Sequence, residues 1–229
     1  TAAEVCGIVE LSHFYASAIQ KTGETNFGDE LEKLTFNALL GSRNENGTGI
    51  TYCKTDNCSQ LNRKAPQHNF KETDLRYKYS PAHTDVAVCC NPNYGRHFPY
   101  YVHSMWMESE DGLVAVLYGP SELKTTVDGK EIMIEQVTNY PYSDEIEFKI
   151  SSAKPVEFAF YFRKPEWVKS MNLKHSGAKF KFENGFYKIQ KQWNSGDVIR
   201  INFENEIQVK THSDNEVYFQ RGALVFAKE

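Results

Sequence analysis

"AKFKFENGFYKIQKQW", residues 178–193, alternates apolar and polar side chains on both sides of Asn184-Gly185. A two-residue type I′ turn needs positive φ at both central positions, which Asn and Gly tolerate best, so the stretch predicts a β-hairpin. The period of two extends outward from it. "LVAVLYG" (113–119), "IMIEQVT" (132–138), "IEFKI" (146–150), "EFAFYFR" (157–163), "VIRINF" (198–203) and "VYFQRGALVF" (217–226) are short segments separated by Asp-Gly, Ser-Asp and Ser-Gly turns. Such spacing predicts an antiparallel β-sandwich over residues 111–229, with the boundary at "SEDG", Ser109 to Gly112.

Before that boundary the period is helical. Ile8, Leu11, Tyr15, Ala18 and Ile19 share one face ahead of Gly23, and Phe27, Leu31, Leu34 and Ala38 repeat the pattern ahead of Gly41. Residues 42–85 are polar and aperiodic, with one short strand expected at Ile50–Cys53. A third helix is expected from Tyr94 to Met107, its first turn suited by Pro92 and its length limited by Pro99. The fold class is therefore α+β, with helices in residues 1–110. Three amphipathic helices need cover for their apolar faces, so association with further chain or further copies is expected.

The formal net charge is -4, with 26 basic and 30 acidic residues dispersed among one another, which gives no concentrated positive surface for nucleic acid. No run approaches the roughly 20 apolar residues of a membrane span. The first residues lack the basic flank and apolar core of a signal peptide, and no initiator Met is present, so a processed product or a piece of a longer protein is expected. Aromatic residues make up 14% of the chain, enough to supply sugar-stacking faces as well as a core.

Five cysteines cannot all pair with one another. Cys89 and Cys90 are adjacent, a poor geometry for a mutual disulfide. A thiolate is both a zinc ligand and a nucleophile, and "AEVCG" offers Glu4 and Cys6 two residues apart. Glu4, Cys6, Cys89 and Cys90 would supply three sulfurs and one oxygen to a tetrahedral ion; the plainer reading is that the cysteines are small buried apolar residues. Cys53 and Cys58 could close a small disulfide loop or remain thiols. His83 and His97 flank the adjacent pair and read as packing or surface residues.

Several stretches, in order, resemble glycoside hydrolase family 127, the β-L-arabinofuranosidase-like enzymes. "AEVCGIVELSHFYASAIQKTGETNFGDELEKLTFNALLG" resembles its Glu-x-Cys element with two helices, and "CCNPNYGR" its CCPPN-type element. "SEDGLVAVLYGPSEL", "VTNYPYSDEIEFKI", "FYFRKPEW", "QKQWNSGDVIRINF" and "QRGALVFAKE" resemble its sandwich landmarks. The resemblance implies the remnant of an (α/α)6 barrel in residues 1–110 followed by the sandwich in 111–229. It further implies Zn2+ held by Glu4, Cys6, Cys89 and Cys90, with Cys89 as nucleophile on an L-arabinofuranoside or similar pentoside. Tyr52 and Glu32 fall at positions that face the nucleophile and the sugar. A strand-core tyrosine is an equal reading of Tyr52, and a solvated helix face is the plainer reading of Glu32.

The implied mechanism is retaining, through a thioglycoside on Cys89, with a separate acid/base group. The family's acid/base glutamate lies upstream of Glu-x-Cys. The expectation is thus part of a larger hydrolase, lacking an N-terminal barrel segment and inactive alone. Glu10, within the helix after Cys6, is no substitute, and Asn91 stands where the family usually has proline. The compartment is not fixed by these residues; a secreted or periplasmic parent agrees with the resemblance. The competing reading is a non-catalytic, carbohydrate-associated sandwich module with a structural zinc site, in which no sulfur stays reactive.

Overall fold

The computed structural model describes residues 3–54, 79–81, 87–176, 179–211 and 217–226. The chain divides into two compact units, Thr1–Ser17 with Glu30–Tyr101, and Ala18–Asp29 with Val102–Glu229. Among the described residues no helix is long and apolar enough to cross a membrane.

Helix α1 spans Val5–Thr22. It ends where expected, on Gly23 at φ 72°, whose N–H returns to the Ile19 carbonyl at 2.8 Å. Ile8 and Ile19 are buried, but Leu11 is 41% exposed, which corrects its place on the inner face. Helix α2 spans Thr25–Lys33 and passes into a π-helical stretch, Leu34–Leu39, then a 3-10 turn, Leu40–Ser42. Helix α3 spans Cys90–His103, so it starts on the second adjacent cysteine rather than at Tyr94. It runs through Pro99 and stops before Trp106, where strand pairing takes over.

In the first unit, Val5, Ile8, Val9, Leu39, Ile50, Ala87 and Cys90 form a small core, with Cys6, Tyr52 and Tyr94 packed against it. The strand expected at Ile50–Cys53 is two shorter ones, Gly49–Ile50 and Cys53–Lys54. His97 is buried in this unit and its Nε2 lies 3.0 Å from Thr35 Oγ1, whose own proton goes to the Leu31 carbonyl at 2.7 Å. Thr35 therefore accepts, and His97 carries its proton on Nε2.

Burial, with a smaller contribution from His13, lowers the His97 imidazole from 6.5 to about 4. A buried neutral imidazole is depressed relative to the unfolded chain, so its stabilisation is complete above about pH 6.5 and declines as pH falls toward about 4. Denaturant titrations across that window are expected to show a loss on the order of 3 kcal/mol, and His97→Gln is expected to flatten the profile.

In the second unit, one five-stranded sheet runs in the order Lys181–Glu183, Phe186–Trp193, Val156–Arg163, Gly112–Ala115, Trp106–Ser109. The other runs Ser170–Lys174, Val198–Glu204, Glu145–Ser152, Lys130–Thr138, Ser121–Val127, and a three-stranded sheet follows from Ile207 to Phe226. The alternation does what it predicts: Ile132, Ile134, Ile146, Phe148, Ile150, Phe158, Phe160, Phe162, Ile199, Ile201 and Phe203 are buried. Burying each such side chain contributes roughly 1.5–3 kcal/mol. Phe148 of the second sheet meets Trp106, Phe160 and Phe162 of the first at ring-centroid separations of 5.9, 5.5 and 5.1 Å.

The hairpin at Asn184-Gly185 forms with φ of 51° and 82°. The expectation of a wholly antiparallel arrangement is corrected at one pairing: Gly112–Ala115 lies parallel to Val156–Arg163. A parallel neighbour needs a crossover, and the strands between Ser121 and Ser152 supply it by building the other sheet. Gly112 permits this, because a Cβ there would stand 1.8 Å from the Ala159 carbonyl oxygen. "SEDG" is the turn of a hairpin, Ser109 pairing with Gly112, so strand structure begins ahead of it at Trp106.

Candidate metal centre

Two local structures bring the candidate residues together in the first unit. The two-residue strand Ala3–Glu4 pairs antiparallel with Cys53–Lys54, Glu4 opposite Cys53, and the Val5 N–H donates to the Tyr52 carbonyl at 2.9 Å. This pins Glu4 just ahead of α1, with Cys6 in its first turn. Cys89 and Cys90 stand at the start of α3, where the Cys89 carbonyl accepts from the Asn93 N–H at 3.3 Å. A helix N-terminus favours negative charge, which suits thiolates there.

One ligand atom from each of Glu4, Cys6, Cys89 and Cys90 lies within 4.8 Å of every other. The Cys6 and Cys90 sulfurs are 3.7 Å apart, those of Cys89 and Cys90 3.9 Å, and Cys89 Sγ is 3.8 Å from Glu4 Oε1. A tetrahedral ion with zinc–sulfur bonds of about 2.3 Å would separate its sulfurs by about 3.8 Å, so the donor set fits a zinc ion in both chemistry and spacing. The thiols are not equivalent: Cys90 is buried, Cys6 half-buried and Cys89 exposed. Burial, then the neighbouring Cys89 thiol, pushes the Cys6 thiol up to about 11, and burial pushes Cys90 higher still. A dication held by these residues would offset that penalty by favouring the ionised sulfurs.

Tyr52 is half-buried between the two short strands rather than in a strand core. The Glu4 carboxylate beside it pushes the Tyr52 phenol up to about 12, so it stays protonated at neutral pH. Glu32 is fully buried in α2, which corrects the reading of a solvated helix face; it is not one of the four clustered residues. Cys53 is buried, while Cys58 and His83 lie outside the described residues. Asn91 accepts a hydrogen bond from Arg43, whose guanidinium also lies 5.0 Å from the Tyr94 ring centroid.

The sequence reading missed a set of polar residues beside the cluster. Asn93 Nδ2 lies 3.2 Å from Cys6 Sγ and 2.9 Å from the Cys89 carbonyl. Arg96 Nε donates to Asn93 Oδ1 at 2.7 Å, and the Arg96 guanidinium pairs with Glu10. Asn93 and Arg96 both stand in the quoted CCNPNYGR stretch, three apart, and that was the available signal.

Residues 112–205 match the family model described as beta-L-arabinofuranosidase, GH127 middle domain. Among solved structures, the chain is similar to a GH127 beta-L-arabinofuranosidase from Geobacillus stearothermophilus T6, with a TM-score of 0.83 and 22% identity over 98% of this chain and 36% of that one. A second, a GH127 beta-arabinofuranosidase, gives a TM-score of 0.79 and 21% identity over 97% of this chain and 36% of the other. At such identity the likeness concerns the fold, and this chain spans little more than a third of the length of these structures. No curated protein sequence matches it.

Proposed function

From the match of residues 112–205 to the GH127 middle domain we propose that the chain belongs to glycoside hydrolase family 127 and is part of a retaining hydrolase of L-arabinofuranosides or similar pentosides. In this reading the helices of residues 1–110 belong to an (α/α)6 catalytic barrel and residues 111–229 form its β-sandwich. Zn2+ is held by Glu4, Cys6, Cys89 and Cys90. The observation that carries the proposal is the convergence of those four side chains, with Cys89 the most exposed of the three cysteines.

The Cys89 sulfur attacks the anomeric carbon as the glycosidic bond breaks, forming a thioglycoside, while an acid outside the matched motifs protonates the leaving oxygen. Water then attacks the same carbon, the carbon–sulfur bond breaks, and that acid, now a base, takes the water proton. The bound metal supplies thiolate activation. Tyr52 is assigned, from the family position, to face the nucleophile, and Glu32 to sugar contact.

A structural zinc site closes every sulfur, whereas this proposal leaves one reactive. Iodoacetamide, and a bromoacetyl arabinofuranoside analogue, are expected to modify Cys89 of the zinc-loaded chain well ahead of Cys6 and Cys90, as read by peptide mass spectrometry. Equal resistance of all three would favour the non-catalytic module with a structural ion.

A further inference from the structure

We infer that Asn93 is a positioning residue that holds Cys6 as a fixed ligand, and that Arg96 and Glu10 set the direction in which the Asn93 amide faces. The inference rests on the metal-site reading above and adds to it the residues that make its three sulfurs unequal.

An amide beside a sulfur can present either its N–H₂ or its oxygen. Arginine has donors only, so Arg96 Nε at 2.7 Å requires the oxygen of Asn93 on its side. That leaves the two N–H groups directed at Cys6 Sγ, 3.2 Å away, and at the Cys89 carbonyl, 2.9 Å away. One side chain thereby ties the first turn of α1 to the first turn of α3, the two turns that carry the cysteines. The opposite orientation would set a carbonyl oxygen against a thiolate, two acceptors with no proton between them. Glu10 pairs with the Arg96 guanidinium and keeps it over the Asn93 oxygen. This ion pair is exposed, with side-chain exposures of 42% and 63%, so it adds little to stability and acts through orientation.

An N–H donated to a thiolate is charge-assisted and draws electron density from the sulfur. The Cys6 sulfur is thus quietened as a nucleophile while it remains a ligand. Cys90 is kept from substrate by burial. Cys89 is exposed, and its sulfur meets Glu4 and Cys90; among the described residues no N–H group reaches it. Three chemically identical side chains are in this way sorted into one open sulfur and two held ones.

The test uses the whole chain loaded with Zn2+ or with Co2+, whose thiolate charge-transfer band reports on sulfur donation. Asn93→Ala is expected to weaken zinc binding about 10- to 100-fold in competition with a chromophoric chelator. It is also expected to shift the cobalt band to longer wavelength, since a sulfur without its N–H partner is the stronger donor. Arg96→Gln should shift the band in the same direction by less, with the unfolding midpoint unchanged, and it keeps the test readable if Asn93→Ala does not fold. A wild-type chain that binds neither ion overturns the metal reading and this inference with it. Wild-type binding with both variants at the wild-type band position and affinity overturns the role of Asn93 alone.

Discussion

Cys89→Ala is expected to lower arabinofuranoside turnover by about 10⁴- to 10⁶-fold in the enzyme of which this chain is part, while metal content falls little. The size follows from removing the atom that forms the covalent bond, a loss that binding and positioning elsewhere do not restore. Metal retention follows from the three ligands left, Glu4, Cys6 and Cys90, a number sufficient for catalytic zinc sites with water as the fourth. Cys6→Ala and Cys90→Ala also leave three ligands and should again keep most of the metal, but they should lose less turnover, because the attacking sulfur is still present. Turnover of a chromogenic substrate, measured beside metal content on the same preparations, separates the two patterns. Near-normal turnover by metal-loaded Cys89→Ala would remove Cys89 from the chemistry.

Asp29→Ala is expected to destabilise the second unit by about 3–5 kcal/mol, and Arg163→Ala by a similar amount. The two side chains form an ion pair with side-chain exposures of 3% and 0%. Asp29 also accepts the Glu166 N–H at 3.1 Å, and Arg163 Nε donates to the Val116 carbonyl. Removing either partner leaves a desolvated charge facing its former site, which is the costly outcome; removing both does not. The double variant Asp29→Ala/Arg163→Ala should therefore lose less than the sum of the two single losses, with the coupling read from a denaturation cycle of the four proteins. Additive losses would mean that the pair is not the source of the effect. Gly28 belongs to the same arrangement, since a Cβ there would stand 2.8 Å from Arg163 Nε.

The strand half was legible because its information is local. A period of two, with Asn184-Gly185 and Asp128-Gly129 at positive φ, specifies strands and turns from neighbouring residues alone. The candidate ligands were legible by type and by resemblance, since Glu4-x-Cys6 and Cys89-Cys90 stand out as residue patterns. Helix boundaries were less so: α3 begins at Cys90, four residues ahead of the expected Tyr94, and the π-helical Leu34–Leu39 has no pattern of its own.

What residue order by itself determined was which segments are strands, which are amphipathic helices, and which side chains are candidate metal ligands. Folding alone decided which groups meet across long separations: Asp29 with Arg163, 134 residues apart, and Asn93 with Cys6, 87 apart. It also decided that Glu32 is buried and that one strand pair runs parallel. The reason is physical: backbone periodicity is set by neighbours within a turn or two, whereas burial, ion pairing and the ranking of three thiols depend on what the rest of the chain places beside them.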